Sequence, residues 1–495
     1  MITWGISANS HDASLAVFEF KRKGLLPDPS LTLKFASHSE RFSGIKNDPH
    51  LNFKLIEYAQ QWGEPDEVVW YEKPFRKTIR QFRAGQGWNY AENNIKKYLQ
   101  QYSITAPVVC ASHHHSHAAA GYYTSNFKHA TVVCIDSIGE FETLTIWEGK
   151  GSNLKKTYSQ GYPHSVGLWY SAMTQRIGLK PNEDEYILMG MAAYGDGTRL
   201  YQSIKDDFIG TSGYAMISIK QNLHRGCKDW RPDLITEQDM FDIAAATQMV
   251  YEDILRYTLK KAAHNSPSKN LVLMGGCALN CSANHIAYEY FDNVWIMPNP
   301  GDAGSSVGAV LAKYKKHITL NNAYLGYDIE GDYPVDELIK ELKSTGIAGV
   351  ASGRAEFGPR AFGNRSLLAD PRGSDIKRRV NDIKQRQQFR PFAPVVLDEY
   401  ADGIFKGHHN NFMQYTSTCT SPSLYPAITH VDGTSRVQTV PKDGSGIRKL
   451  LEAWYKETGC PMLLNTSLNI KGKPMVNDLT DAQEFAIMYN INVCS

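Results

Sequence analysis

The run HHHSH, at residues 113–117, holds the side chains best suited to chemistry. His113 and His117 are four apart, so on a helix both imidazoles lie on one face about one turn apart. Two imidazoles so placed suit one divalent ion, which also needs an oxygen ligand from elsewhere in the chain. Asp302, in the glycine-rich turn NPGDAGSS, is the candidate for that ligand. A His-rich helix start can be plain polar surface. The strand end before this one and the GDAG turn downstream favour the metal reading.

Other turns could handle charge. MGGCALNCSAN, with Gly275, Gly276 and Asn280, and GDAGSSVGA, with Gly304, offer backbone N–H groups and close approach, which suit a nucleotide. Either could equally be a tight connection. The acidic turn with Asp136 and Glu140 could hold a cation or orient phosphates. The turn NSHDA sets His11, a possible base, beside Asp12, a carboxylate that could orient it. Hairpin capping by Asp is the plainer reading of both turns.

The C-terminal part is rich in Arg and Lys. GRAEFGPRAFGNRS holds Arg354, Glu356, Arg360, Asn364 and Arg365, and NDIKQRQQFRPFAP holds Lys384, Arg386 and Arg390. RVQTV adds Arg436, and LNTSLN adds Asn465, Ser467 and Asn469. Arginine forks and a lysine beside Gly and Pro turns are what a phosphate-rich site requires. A solvated basic surface would explain the number of charges but not their placement among Phe, Pro and Gly.

The elements that must position these groups follow from patterning. ITWGIS and SLAVFEF read as strands joined by a polar turn, LTLKFASHS as a third strand and EVVWYE as a fourth. VVCAS is a strand running into the HHHSH helix, and ATVVCIDSIGE with TLTIWEG reads as a hairpin with an acidic turn. Helical patterns cover 51–62, 165–177 and 236–264. NLVLM leads through Gly-Gly into a predicted helix carrying Cys277 and Cys281, and GDAGSS opens another. A strand–turn–strand with an acidic turn thus occurs twice, and a strand–Gly turn–helix follows. That grammar predicts two related α/β halves around a cleft, an actin-like or sugar-kinase-like core. The pattern lapses after Tyr314, which puts a boundary near 325–335 and domains at 1–328 and 329–495. The stretch from Arg76 to Lys97 carries six basic residues and one acid, Glu92. It could grip phosphates or be a solvated face.

A net charge of +2 neither favours nor excludes a nucleic-acid partner, because a local patch can outweigh the total. The eight Cys are scattered, several in apolar runs, which suits a reducing compartment. Cys277 and Cys281 lack a second Cys/His pair at zinc spacing. The N-terminus opens directly into a strand and no apolar run reaches membrane-spanning length, so the expected location is the cytoplasm, with no membrane partner.

Eleven ordered segments, among them GISANSHDASLAV, SERFSGIKND, HHHSHAAAGYY, GGCALNCSAN, GRAEFGPRAFGNRS and LLNTSLNIKGKP, carry a resemblance. The chain resembles the O-carbamoyltransferases of nodulation-factor, aminocoumarin, aminoglycoside and cephamycin pathways over essentially its whole length. The resemblance implies an actin-like (ASKHA) two-lobed domain, similar to the metal-dependent transfer protein of threonylcarbamoyl-adenosine tRNA synthesis. An α/β YrdC-like domain would follow. Lys384-x-Arg386 and Ser467-x-Asn469 match the K-x-R and S-x-N signature of the latter. The implied C-terminal domain uses Arg354, Arg360, Lys384, Arg386, Arg390, Arg436, Ser467 and Asn469 to bind carbamoyl phosphate and ATP with Mg2+, and forms carbamoyl-adenylate. The implied transfer domain holds iron, as Fe2+, on His113, His117 and Asp302. Asp136, Gly275, Gly276, Asn280 and Gly304 would face nucleotide there, and His11 with Asp12 would deprotonate an acceptor hydroxyl. Relatives act on small molecules and, in viral members, on hydroxymethylpyrimidines of DNA, which leaves nucleic acid open as a partner. A homodimer is also left open. This chain departs from the family pattern at Ile187, where Lys is usual, and at Gln387, and it stops earlier at NINVCS. The alternative functions are a fused tRNA threonylcarbamoyl transferase and a non-catalytic nucleotide-binding module.

Overall fold

The computed structural model describes residues 1–21, 30–210 and 216–495. The chain divides into two compact units, one of Met1–Ser39 with Asn47–Asn321 and one of Glu40–Lys46 with Asn322–Ser495. The second unit therefore begins seven residues before the position 329 expected from patterning, and it also recruits Glu40–Lys46 from the front of the chain. Within that unit Arg41 is buried and donates from Nη2 to the Gly358 carbonyl at 2.9 Å, a long-range tie that sequence periodicity does not encode.

The first unit contains two five-stranded sheets. In one, β1 (Ile2–Ser7) pairs antiparallel with β2 (Ser14–Lys21), which pairs antiparallel with β3 (Ser30–His38). On the other side of β1 lie β4 (Glu67–Trp70) and β5 (Val108–Cys110), both parallel. In the other sheet β6 (His129–Ile135), β7 (Glu142–Lys150) and β8 (Asn153–Gly161) form the antiparallel trio. There β9 (Asn270–Met274) and β10 (Asn293–Trp295) add the parallel strands. The two orders are β3-β2-β1-β4-β5 and β8-β7-β6-β9-β10, so a hairpin trio followed by two parallel strands is built twice. The helices are α1 (Pro74–Arg83), α2 (His113–Thr124), α3 (Val166–Arg176), α4 (Glu237–His264) and α5 (Ser305–Tyr314). The buried helices α2 and α5 pack on each other, and Gly308 lets them: a Cβ there would lie 1.9 Å from the Ser116 carbonyl oxygen.

One expected helix is absent. After the Gly-Gly turn the chain makes 3-10 turns at Gly276–Leu279 and Asn284–Glu289. Asn side chains compete with the helical backbone there. Asn284 Nδ2 donates to the Ala278 carbonyl at 2.9 Å, and Asn280 Oδ1 accepts from the Ala283 N–H at 3.2 Å.

In the second unit α6 (Val335–Thr345), α7 (Ile376–Ile383) and α8 (Gly446–Thr458) accompany a six-stranded mixed sheet. Its strands are β11 (Ile347–Ala351), β12 (Arg365–Ala369), β13 (Ala393–Leu397), β14 (Gln438–Val440), β15 (Met462–Ser467) and β16 (Val493–Cys494). Their spatial order is β14-β13-β15-β12-β11-β16. The central strands read as unbroken apolar runs because Leu367, Leu368, Val395, Val396, Leu463 and Leu464 are all buried. Among the described residues, no helix is long and apolar enough to cross a membrane.

Candidate functional site

The first unit brings four side chains together at the start of α2. His113 Nε2 and His117 Nε2 face each other at 3.1 Å, as the four-residue spacing predicts. Asp302 Oδ1 lies 3.4 Å from the first and 3.3 Å from the second. Asp136 Oδ2 lies 3.1 Å from His113 Nε2 and 3.6 Å from His117 Nε2. One ligand atom from each of the four falls within 4.8 Å of every other. Asp136, expected to face nucleotide, thus points one oxygen at the imidazoles, while its Oδ1 accepts the Gly276 N–H at 3.0 Å.

Burial opposes charge on both imidazoles, but the Asp302 and Asp136 carboxylates more than reverse this, so His113 sits well above its ordinary range and His117 is raised. The same histidines, against burial, hold Asp136 and Asp302 below the usual carboxylate range. Two imidazoles and two carboxylates converging at a buried point fit a divalent transition ion, whose charge would replace the imidazole protons. Ser305 Oγ lies 3.4 Å from His117 Nδ1 and so orients the ring from behind.

Helix geometry sorts the remaining histidines. His114 turns to Thr145 on β7, Nδ1 to Oγ1 at 2.9 Å, and burial lowers it to about 3. His115 stacks on Trp147 with centroids 5.2 Å apart, and burial lowers it to about 4. Both remain neutral and belong to the packing of α2 on the sheet.

Glu140 is the support that sequence reading left among capping residues. Its Oε1 accepts the His113 N–H at 3.1 Å and the Lys73 N–H at 2.8 Å, and the residue is buried. A carboxylate at the first turn of a helix satisfies a donor that has no intrahelical partner. Here it fixes the residue that carries the metal-facing imidazole.

The His11–Asp12 pair does not form. His11 is exposed, and Asp12 Oδ2 instead lies 3.3 Å from His38 Nδ1 at the end of β3. His38 Nε2 accepts from Asn299 Nδ2 at 2.9 Å, on the loop that carries Asp302. Neighbours in a hairpin turn point apart, whereas β3 is the antiparallel partner of β2, with His38 opposite Ser14. His38 was findable as the one His of that strand, but not its pairing. The turn still borders the site, because Ser10 Oγ donates to Asp302 Oδ2 at 3.4 Å.

The glycine-rich turns are tight for structural reasons. Gly275 has φ +90°, and a Cβ on it would lie 2.2 Å from the Ile135 carbonyl oxygen. A Cβ on Gly304 would lie 1.9 Å from the Asn299 carbonyl oxygen. Asn280 is engaged by Gln248 through both amide atoms, at 2.9 and 3.2 Å. Of the residues expected to face nucleotide, Gly304 and Asn280 are therefore accounted for by packing and pairing within the fold.

In the second unit, Lys384 at the end of α7 meets the end of β15. Its Nζ lies 3.3 Å from Ser467 Oγ and 2.9 Å from Asn469 Oδ1, and Ser467 Oγ donates to that same Oδ1 at 2.6 Å. Burial pushes the Lys384 ammonium well below its ordinary range, and Arg386 and Arg390 push it the same way. Arg386 lies 4.3 Å over the Phe392 ring and donates from Nε to Asn381 Oδ1 at 2.7 Å. Among the described residues, Arg436 Nε is buried without a hydrogen-bond partner.

The other expected phosphate-binding arginines brace the backbone. Arg354 donates to the Leu325 and Gly326 carbonyls at 2.5 and 3.4 Å, and Arg360 to those of Phe412, at 3.1 Å, and Met413. Arg365 is wholly buried and bonds the carbonyls of Asn477, Ser352, Gly353, Asn364 and Tyr327. Five donors in a rigid fork suit a guanidinium to this as well as to phosphate.

Comparisons with known proteins divide the chain at nearly the same place. A family model described as Carbamoyltransferase N-terminus matches residues 3–311, and one described as Carbamoyltransferase C-terminus matches 339–494. An uncharacterized protein of Synechocystis, sll1178, is 30% identical over 97% of this chain and 93% of its own. Nodulation protein NolNO of Sinorhizobium fredii is 32% identical over 75% of this chain and 60% of its own. The 3'-hydroxymethylcephem-O-carbamoyltransferase of Amycolatopsis lactamdurans is 27% identical over 95% of this chain and 94% of its own. Among solved structures, (R)-2-hydroxyglutaryl-CoA dehydratase component A of Acidaminococcus fermentans covers 64% of the chain at 12% identity. Its TM-score of 0.32 is too low to assign a shared fold.

Proposed function

Since the chain belongs to the O-carbamoyltransferase family and is a transferase, we propose that it makes carbamoyl-adenylate in its second unit and passes the carbamoyl group to an acceptor hydroxyl in its first. One observation carries the reading: Lys384, buried at the end of α7 in the segment that also carries Arg386 and Arg390, meets Ser467 and Asn469 at the end of β15. Two guanidinium groups beside an amine that can take up a proton suit an anion, and an ATP triphosphate beside carbamoyl phosphate supplies one.

Carbamoyl phosphate first yields its phosphate to water, leaving carbamate. A carbamate oxygen then attacks the α-phosphorus of ATP, the bond to pyrophosphate breaks, and carbamoyl-adenylate forms. Lys384, Arg386 and Arg390 offset the charge that gathers on the phosphoryl oxygens. Ser467 and Asn469 hold the Lys384 amine in place through the contacts described above.

In the first unit the acceptor oxygen attacks the carbonyl carbon, the bond to AMP breaks, and AMP leaves. A carbamoyl group is a poor electrophile without such a leaving group. His113, His117, Asp136 and Asp302 would hold a divalent ion, iron by resemblance, which when bound polarises the anhydride oxygens. We assign removal of the acceptor proton to His11, exposed on the turn whose Ser10 touches Asp302. Asp12, on the same turn, lies beside His38.

The test is product analysis. ATP should give AMP and pyrophosphate only when carbamoyl phosphate is present. Formation of ADP alone, or turnover indifferent to carbamoyl phosphate, contradicts the proposal.

A further inference from the structure

Of the four converging donors, Asp302 is the one that arrives on a loop. His113 and His117 share helix α2, and Asp136 follows directly on the end of β6. Asp302 opens a single 3-10 turn, Asp302–Gly304, ahead of α5. Its place therefore depends on what grips the chain around it.

Strand register supplies that grip. Ser14 opens β2 and His38 closes β3, and the two stand opposite each other in the antiparallel ladder. Directly opposed residues project to the same face of a sheet. Ser14 Oγ donates to the Ala303 carbonyl at 2.6 Å, and His38 Nε2 accepts from Asn299 Nδ2 at 2.9 Å. The loop is thus held on both sides of Asp302, at Asn299 before it and at Ala303 after it. His38 and Asn299 are each only 3% exposed, so water does not readily replace a partner lost there.

The other ring nitrogen of His38 is also occupied. Because Nε2 accepts, the ring proton lies on Nδ1, which faces Asp12 Oδ2 at 3.3 Å. Asp12, His38 and Asn299 therefore form a polar chain from the turn after β1 to the loop that carries Asp302. The two segments meet again at the carboxylate itself, where Ser10 Oγ donates to Asp302 Oδ2 at 3.4 Å. An apolar side chain would fill the same space as His38 but would leave Asn299 and Asp12 without a group between them.

We infer that His38 is a positioning residue for Asp302: backed by Asp12 and acting through Asn299, it sets where that carboxylate stands opposite His113 and His117. The inference rests on reading the four donors as a metal site. His38 is not one of those donors.

The test titrates the full chain with Co2+ under anaerobic conditions, read by the visible bands that report the ligands around the ion. His38→Ala should weaken Co2+ binding by about 10- to 100-fold, the range for loss of an outer partner of a ligand, and should alter the bands. His38→Gln, whose amide can accept from Asn299 and donate to Asp12, should restore both. The deciding comparison adds His38→Ala to Asp302→Ala. Little further loss is expected, because the group that His38 positions is already gone, whereas a general structural role would add its loss in full. Should His38→Ala fail to fold, Asn299→Ala removes the same contact from the loop side and takes its place in the cycle. Unchanged affinity and bands in the Ala variant, a Gln variant as weak as Ala, or additive losses in the double variant would each overturn the inference while leaving the metal reading intact. Absence of Co2+ binding in the unaltered protein would sink the metal reading, and the inference with it.

Discussion

Replacing Glu140 by Ala should loosen the metal centre without touching any of its four donors. Both hydrogen bonds that Glu140 accepts, from the His113 N–H at 3.1 Å and the Lys73 N–H at 2.8 Å, end on the same atom, Oε1. Hydrogen bonds to a charged group are worth roughly 1.5–3 kcal/mol each, so the carboxylate contributes about 3–6 kcal/mol to holding these two amides. Part of that loss appears as lower stability. The remainder appears as freedom of His113, and disturbed outer partners of metal ligands typically cost about 10- to 100-fold in affinity. Glu140→Gln keeps an Oε1 acceptor at the same place and loses only the charge. It should bind Fe2+ within about a few-fold of the unaltered protein, since a neutral acceptor retains roughly half of each bond. Competition with a chromophoric chelator under anaerobic conditions gives the affinities. Equal losses in Ala and Gln would refute the reasoning, because charge rather than the acceptor atom would then matter. An unaffected Ala variant would refute it as well.

Three further outcomes follow from the geometry. Metal affinity should fall as pH falls, because His113 and His117 are raised in the ion-free protein and must lose their protons to bind an ion; chelator competition from pH 8 to 6 showing no loss would contradict this. Binding of ATP should draw a proton onto Lys384 at pH values between its lowered position in the free protein and its higher position beside phosphate. Calorimetry in buffers of different ionisation enthalpy should then show uptake, which Lys384→Met abolishes. Arg365→Met should cost at least about 4 kcal/mol locally, since five backbone carbonyls lose a donor in a buried place, and hydrogen exchange should show β12 deprotected while residues of the first unit are unaffected.

Local patterns carried much of this structure. Apart from β8 and β10, the strands of both sheets of the first unit and the pairing of His113 with His117 were legible, because each depends on local patterning of apolar residues or on a spacing of four. The lysine signature came from the family resemblance, and its partners Ser467 and Asn469 do lie beside Lys384. What could not be read depends on strand register and on long-range ties. Asp136 joins the imidazoles because β6 ends beside α2, and His38 replaces His11 as the partner of Asp12 because β3 lies antiparallel to β2. Arg354, Arg360 and Arg365 bond backbone carbonyls, a role that looks the same in sequence as one toward phosphate. The missing helix after Gly276 had its cause in view, in Asn280 and Asn284, but the apolar residues between them outweighed it.

The two proposed half-reactions can be separated most directly by following carbamoyl phosphate, ATP and AMP in two variants side by side. The account predicts that His117→Ala still converts ATP to carbamoyl-adenylate and pyrophosphate yet transfers nothing, while Lys384→Met makes neither adenylate nor product. Adenylate formation abolished in His117→Ala, or retained in Lys384→Met, would contradict it.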